Sequence, residues 1–221
     1  MIYVYCEGQT EETFINEVLA PYMFYMAGLS LKPIVCETKR TSLKKYKGGI
    51  VDYQRVKKEI QRLCKEHHNE YVTSMMDFYS FPEETPGMDK ALKLIDVYER
   101  VEYIESEIKK DIGCENFIPH LMLHEFEALI FVRPELLTQY YQKHSREIER
   151  LITLREEAET PEHIDLGKDT APSKRIKFAI PEYDKIVAGT AITLDIGMDR
   201  IIEECRHFAA WIYKICLLKD K

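Results

Sequence analysis

Val4-Tyr5-Cys6-Glu7-Gly8-Gln9-Thr10-Glu11-Glu12-Thr13-Phe14 changes character in its middle. The run from Ile2 to Cys6 is short, β-branched and aromatic, the composition of a buried strand, and Gly8 breaks it. From residue 10 to about 27, apolar side chains recur at Phe14, Ile15, Val18, Leu19 and Tyr22, which is helical spacing. A strand that passes through three carboxylates and a glycine into a helix sets two expectations: a strand and helix alternation, and chemistry at the strand's end.

The alternation continues outward from this stretch. Strands are expected at residues 33–38, 71–76 and 117–123. Between them the pattern predicts a helix over 52–67, with Val56, Ile60, Leu63 and Cys64 on one face. A second helix is expected over 88–110, with Leu92, Ile95, Val101, Ile104 and Ile108 among its apolar positions. Such spacing favours an α/β layer built on a mostly parallel four-stranded sheet flanked by helices. Residues 1–132 are read as that domain. Residues 133–221 are read as a helical extension packed on it, with helices over 135–141 and 146–157, a polar loop over 160–172 and short helices to the end.

Totals bound the function. With 221 residues and 45% hydrophobic side chains, the chain can bury one good-sized core. A formal net charge of -7 argues against coating DNA through general positive charge, so any nucleic-acid contact must be local. No apolar segment approaches the roughly 20 residues of a membrane helix. The N-terminus lacks the basic-then-apolar layout of a signal peptide. A cytoplasmic protein is expected. The cysteines Cys6, Cys36, Cys64, Cys114, Cys205 and Cys216 contain no C-x-x-C pair, so reduced core thiols are expected rather than a zinc or redox site.

In open α/β sheets ligands bind beyond the carboxyl ends of the strands. Three of the four expected strands end in acid: the first in Glu7 with Glu11 shortly after, the third in Asp77, and the fourth in Glu125 and Glu127. Converging carboxylates repel unless a cation holds them, and Mg²⁺ or Mn²⁺ prefers such oxygen ligands. Plainer readings stand beside this one. Glu11 and Glu12 suit a helix N-terminus with Thr10 as cap. Asp77 suits a loop start. Glu125 and Glu127, two apart, face one site only if the local backbone is extended or turning.

Lys39, Arg40, Lys44, Lys45 and Lys47 lie in a stretch without acids, read either as a solvated loop or as a steering patch for a phosphate backbone. Ser173 is a helix-cap candidate ahead of Lys174 and Arg175. His124 borders the acids, and Trp211 reads as core. No P-loop, dinucleotide-type glycine motif or G-x-S-x-G element is present.

EGQTEE after the first strand, MMDFYSFP after the third, FIPHLMLHEFEALIF at the fourth, TAPSKRI and the late HFAAWI together resemble domain of unknown function family 4276 over almost the whole chain. The first half is in turn similar to the Toprim fold of topoisomerases, primases and nucleases of the overcoming-lysogenization-defect type. The resemblance implies a Mg²⁺- or Mn²⁺-dependent phosphodiesterase on DNA or RNA. Glu7 would be the Toprim glutamate, Glu11 a second acid, and Asp77 the first acid of D-x-D. Glu125 and Glu127 would serve a further metal, Lys174 would meet the transition-state phosphate, and Lys39, Arg40, Lys44, Lys45, Lys47 and Arg175 would contact nucleic acid. Tyr79 departs from the pattern, standing where the second D-x-D acid belongs. The implied partners are nucleic acid, an AAA or ABC-like ATPase of bacterial defence loci and, for a homodimer, a second copy of the chain. The rival reading is an inactive regulatory subunit of that ATPase, and phosphoryl transfer to a small molecule is a third.

Overall fold

The computed structural model describes residues 1–36, 52–78, 81–164 and 170–220. Its first strand, β1 (Ile2–Cys6), pairs in parallel with β2 (Leu31–Val35) on one side and with β3 (Tyr71–Asp77) on the other. Two short strands, β4 (Phe117–Ile118) and β5 (Leu121–Met122), pair in parallel with β3. The order is β2-β1-β3-β4, so the connections reverse direction between β1 and β3. This is the α/β architecture with a parallel sheet that the strand and helix alternation predicts.

Reversal with right-handed crossovers sends helices to both faces of the sheet. Beneath one face, Ile2, Val4, Cys6 and Met75 join a core with Phe14, Ile176, Ile192, Phe208 and Trp211. On the other face, Tyr5, Val72 and Met76 pack with α3 (Tyr53–Glu66) and α5 (Val97–Ile112). Period-2 alternation along β1 divides its side chains between these two cores. The first core runs in sequence from Ile2 to Ile215, across the boundary expected at residues 132 and 133. Burying each such large side chain contributes about 2 kcal/mol.

Local chemistry explains the element ends. After β1, α1 (Gln9–Phe14) passes through a π-helical turn, Ile15–Leu19, into α2 (Ala20–Ala27). Pro21 cannot donate to the carbonyl four residues back, and the widened turn lets helical backbone continue to it. Gly28 ends α2 at φ 67, a conformation that favours glycine. Asp52 caps α3 by accepting from the backbone N–H groups of Gln54 and Arg55.

Two expected elements divide. The helix over 88–110 is two helices, α4 (Met88–Ala91) and α5, because Asp96 accepts from the N–H groups of Tyr98 and Glu99 and starts α5 afresh. Leu92 and Ile95, counted among the apolar positions, are 59% and 95% exposed in the connection. The strand over 117–123 is interrupted at Pro119, which lacks the N–H a ladder needs. There the Ser74 hydroxyl donates to the His120 carbonyl and accepts from the His120 N–H, at 2.9 and 3.0 Å.

Beyond Glu125 a 3-10 segment, Phe126–Val132, leads to α6 (Leu137–Tyr140), α7 (Ser145–Glu157), α8 (Pro172–Ala179), α9 (Val187–Ile196), α10 (Met198–Glu204) and α11 (Arg206–Cys216). Trp211 of α11 is core, as its surroundings in sequence predict, and its indole N–H donates to Thr73 Oγ1 of β3 at 2.8 Å. No helix among the described residues is long and apolar enough to cross a membrane.

Candidate functional site

The reversal between β1 and β3 opens the crevice where α/β sheets bind ligands. Glu7 follows β1 directly and Asp77 ends β3, and the two meet: the Asp77 N–H donates to Glu7 Oε2 at 3.3 Å. Asp77 Oδ1 in turn accepts from the Phe126 N–H at 3.0 Å, which draws the loop after β5 onto the strand ends. Glu11 is buried in the first turn of α1. That helix starts at Gln9 with Gly8 as its cap residue and no side-chain cap, so Thr10 lies inside the helix rather than capping it.

His124 sets the direction of the next acids. It is the one non-glycine residue with positive φ among those described, at 72°, a conformation costing on the order of 1 kcal/mol. Glu125 is extended after it, and Glu127 lies in the 3-10 segment. This turn is the condition under which two acids two apart reach one region. Glu125 Oε2 accepts from the Ser173 N–H at 2.9 Å and so caps α8 from outside that helix; Ser173 itself makes no cap. Glu127 is 1% exposed, and neither of its oxygens has a hydrogen-bond partner.

The electrostatics follow from this crowding. Burial, then the carboxylates of Glu7 and Glu11, hold Asp77 well above the usual carboxylate range, with Lys185 opposing. Burial likewise raises Glu127 to about 7, with Lys185 opposing and Glu125 adding to the rise. Lys185 precedes α9, where Asp184 Oδ1 accepts from the N–H groups of Ile186 and Val187. The residue as a whole is exposed, but its ammonium end faces the acids. Desolvation there works against the charge, yet Glu127, Asp77, Glu11 and Glu7 outweigh it and raise the lysine above its ordinary value. Tyr183 and Thr190 have buried hydroxyls without hydrogen-bond partners. Gly189 makes room for that tyrosine: a Cβ there would stand 2.8 Å from Tyr183 Oη.

The structure therefore brings Glu7, Glu11, Asp77 and Glu127 within electrostatic reach of one another, with Glu125 at their edge. No three of these acids bring one oxygen each within 4.8 Å of the others. An all-oxygen, buried donor set that includes the orphaned Glu127 carboxylate is chemically suited to a hard divalent cation. Lys174 is not brought to the acids; it is exposed on the wall of a groove between α7 and α8, and Arg175 lines the same groove. Lys39, Arg40, Lys44, Lys45, Lys47 and Tyr79 lie outside the described residues.

Sequence reasoning missed two features. Lys185 sits in Pro181-Glu182-Tyr183-Asp184-Lys185, where no motif marks it and only the crossing of α9 over α1 brings it to the acids. The second is a buried set of Glu105, His120 and His207, whose ligand atoms lie within 4.8 Å of one another and could hold a metal ion. Glu105 Oε1 already receives the Leu121 N–H and His207 Nε2 at 2.9 Å each and faces His120 Nδ1 at 3.5 Å. Burial alone would raise Glu105, but the bonds from His120 and His207 bring it down to about 2. Burial lowers His120 to about 4. His207 is raised, because its bond to Glu105 outweighs burial.

A family model described as Domain of unknown function (DUF4276) matches residues 6–215. No curated protein and no solved structure matches the chain.

Proposed function

We propose that this chain, which belongs to the DUF4276 family, is a Toprim-like, divalent-metal-dependent phosphodiesterase acting on nucleic acid. The observation that carries the reading is the meeting of Glu7 and Asp77, seventy positions apart in sequence, at the sheet's reversal point. Glu7, Asp77 and Glu127 would hold Mg²⁺ or Mn²⁺ once their oxygens close in from their present separations, with Glu11 behind them. When bound, such an ion polarises a phosphoryl oxygen and lowers the pKa of water. Glu125 acts as a positioning residue, because its oxygen is engaged in tying α8 to the site. Lys185, rather than Lys174, is the cation we assign to bear charge on a phosphate, since its ammonium is within electrostatic reach of Glu127, Asp77, Glu11 and Glu7. Burial of Glu127 and Asp77 keeps bulk water from weakening these interactions.

A second reading keeps the fold without the chemistry. In it Lys185 is a built-in counter-charge that lets the acids stand together with no ion, and the chain is a regulatory subunit. Under either reading the proposed protein partner is an AAA or ABC-like ATPase.

One experiment separates the readings: calorimetric titration with Mn²⁺, joined to hydrolysis assays on DNA and RNA, for the wild type, Glu7→Gln and Asp77→Asn. The phosphodiesterase reading expects binding and hydrolysis that both variants lose, by about a hundredfold or more in rate. Equal hydrolysis in all three removes the catalytic assignment, and absence of Mn²⁺ binding by the wild type leaves the regulatory one.

A further inference from the structure

A groove of about 610 Å³ lies between α7 and α8. Its walls carry Arg150, Lys174 and Arg175 against the acids Glu147 and Glu157, a local excess of one positive charge in a chain of net -7. Leu151, Leu154 and Ala179 give it an apolar floor. Phe178 stands at its edge with 84% of its surface exposed.

Helical spacing explains the grouping. Phe178 lies four residues after Lys174 and three after Arg175, so the three share one face of α8. Arg175 is held in place, its Nε donating to the Thr170 carbonyl at 2.6 Å. An aromatic ring among cations is the composition of a surface that stacks a base and contacts the flanking phosphates. An internal packing role does not account for a phenylalanine so exposed. Position ties the groove to the acids: the Ser173 N–H, at the start of α8, touches Glu125. Phe178 is five residues further, about 7.5 Å along the helix axis, or about two stacked nucleotides at roughly 3.4 Å each.

We propose that this groove binds a single-stranded segment of nucleic acid, with Phe178 stacking on a base and Arg150 and Lys174 on the phosphates, adjacent to the acidic pocket. The proposal rests on the phosphodiesterase reading for its place in the reaction and makes the substrate single-stranded near the cleaved bond. Duplex bases, stacked on their neighbours, cannot offer a face to Phe178.

The test is fluorescence anisotropy on the full chain in EDTA, with labelled 12-nucleotide single-stranded DNA and RNA and a blunt duplex of the same length. Single strands are expected to bind about tenfold more weakly to Phe178→Ala, with affinity restored in Phe178→Trp and duplex affinity unmoved. Arg150→Ala combined with Lys174→Ala should flatten the log-log salt dependence by about 1.4, the contribution of two phosphate contacts. The exposure of Phe178 keeps the fold out of the comparison, and unchanged urea unfolding of Phe178→Ala confirms it. Equal binding by wild type and Phe178→Ala, or no binding of any oligonucleotide, overturns the proposal and leaves the groove as a protein-contact surface. Failure of the two ideas is distinguishable. Strand binding through Phe178 without hydrolysis keeps the groove and removes the phosphodiesterase, whereas hydrolysis indifferent to Phe178→Ala does the reverse.

Discussion

Two buried clusters among the described residues, one around Glu105 and one around Glu127, treat charge in opposite ways. Glu105 is surrounded by donors: a backbone N–H and two histidines converge on its Oε1, and it stays ionised down to about pH 2. Glu127 is buried as deeply, yet both its oxygens lack partners and it holds its proton to about 7. One cluster has been completed from within the chain, tying α5, β5 and α11 together. The other has been left needing something. Buried polar groups are ordinarily satisfied. Glu127, left unsatisfied among acids at the sheet's reversal point, is what the proposed metal ion would complete, whereas Glu105 already has its partners within the chain.

The largest effect that could break this contrast belongs to the completed cluster. Glu105→Gln keeps the volume but removes the negative charge facing His207, leaving a buried cation unpaired. We expect a loss of about 3–5 kcal/mol in urea unfolding at pH 6. The pH dependence of the wild type has two limbs. The carboxyl of Glu105 is depressed, so its contribution is present above about 4.5 and lost as pH falls toward 2. His207 is raised, so its contribution is present below about 6.5 and lost as pH rises through its folded value. A Glu105→Gln protein as stable as the wild type would place the two clusters in one class.

The same contrast explains what could be read without coordinates. The sheet was legible because β1 and β3 are continuous apolar runs ending in Glu7 and Asp77, and strand ends are where a parallel sheet gathers its chemistry. The family resemblance was legible too, since its motifs fall on those ends. Breaks set by single residues were harder. Asp96 restarts a helix and Pro119 divides a strand, and neither disturbs the apolar period enough to show. Lys185 was illegible for a different reason. It comes from an unmarked loop more than a hundred positions after β1 and β3, and only the packing of α9 on the first helix brings it home. Glu105, His120 and His207 likewise come from three elements whose meeting no local pattern encodes.

A middling effect belongs to Glu127. Its folded carboxyl is raised from 4.5 to about 7, so the unfolded chain gives up its proton first and stability falls as pH rises between those values. Glu127→Gln should therefore be more stable than the wild type at pH 8 in EDTA, by at most about 3 kcal/mol, and no more stable at pH 4. Divalent cation must displace that proton. Mn²⁺ affinity of the wild type should accordingly climb with pH up to about 7 and then level, a profile that calorimetry at pH 5.5, 7 and 8.5 would read. A flat profile would mean that Glu127 takes no part in holding the ion.

The smallest effect, and the sharpest on the two readings, is that of Lys185→Met. Lys185 is the partial compensation that the acidic pocket does possess, but solvent reaches it, so its interaction with the acids is worth about 1 kcal/mol after screening. Removing the ammonium should raise Glu127 further and move the onset of Mn²⁺ binding up by about 0.7 pH unit. Above that onset the competing cation is gone, and Mn²⁺ should bind about fivefold more tightly. Hydrolysis should nevertheless fall, because the group placed to bear charge on the phosphate has been removed. Tighter metal with slower turnover is the combination that a counter-charge serving no reaction cannot produce. A variant that binds Mn²⁺ better and hydrolyses no more slowly would instead make Lys185 a stabiliser of the empty pocket, and would move the pocket toward the self-completed class of Glu105.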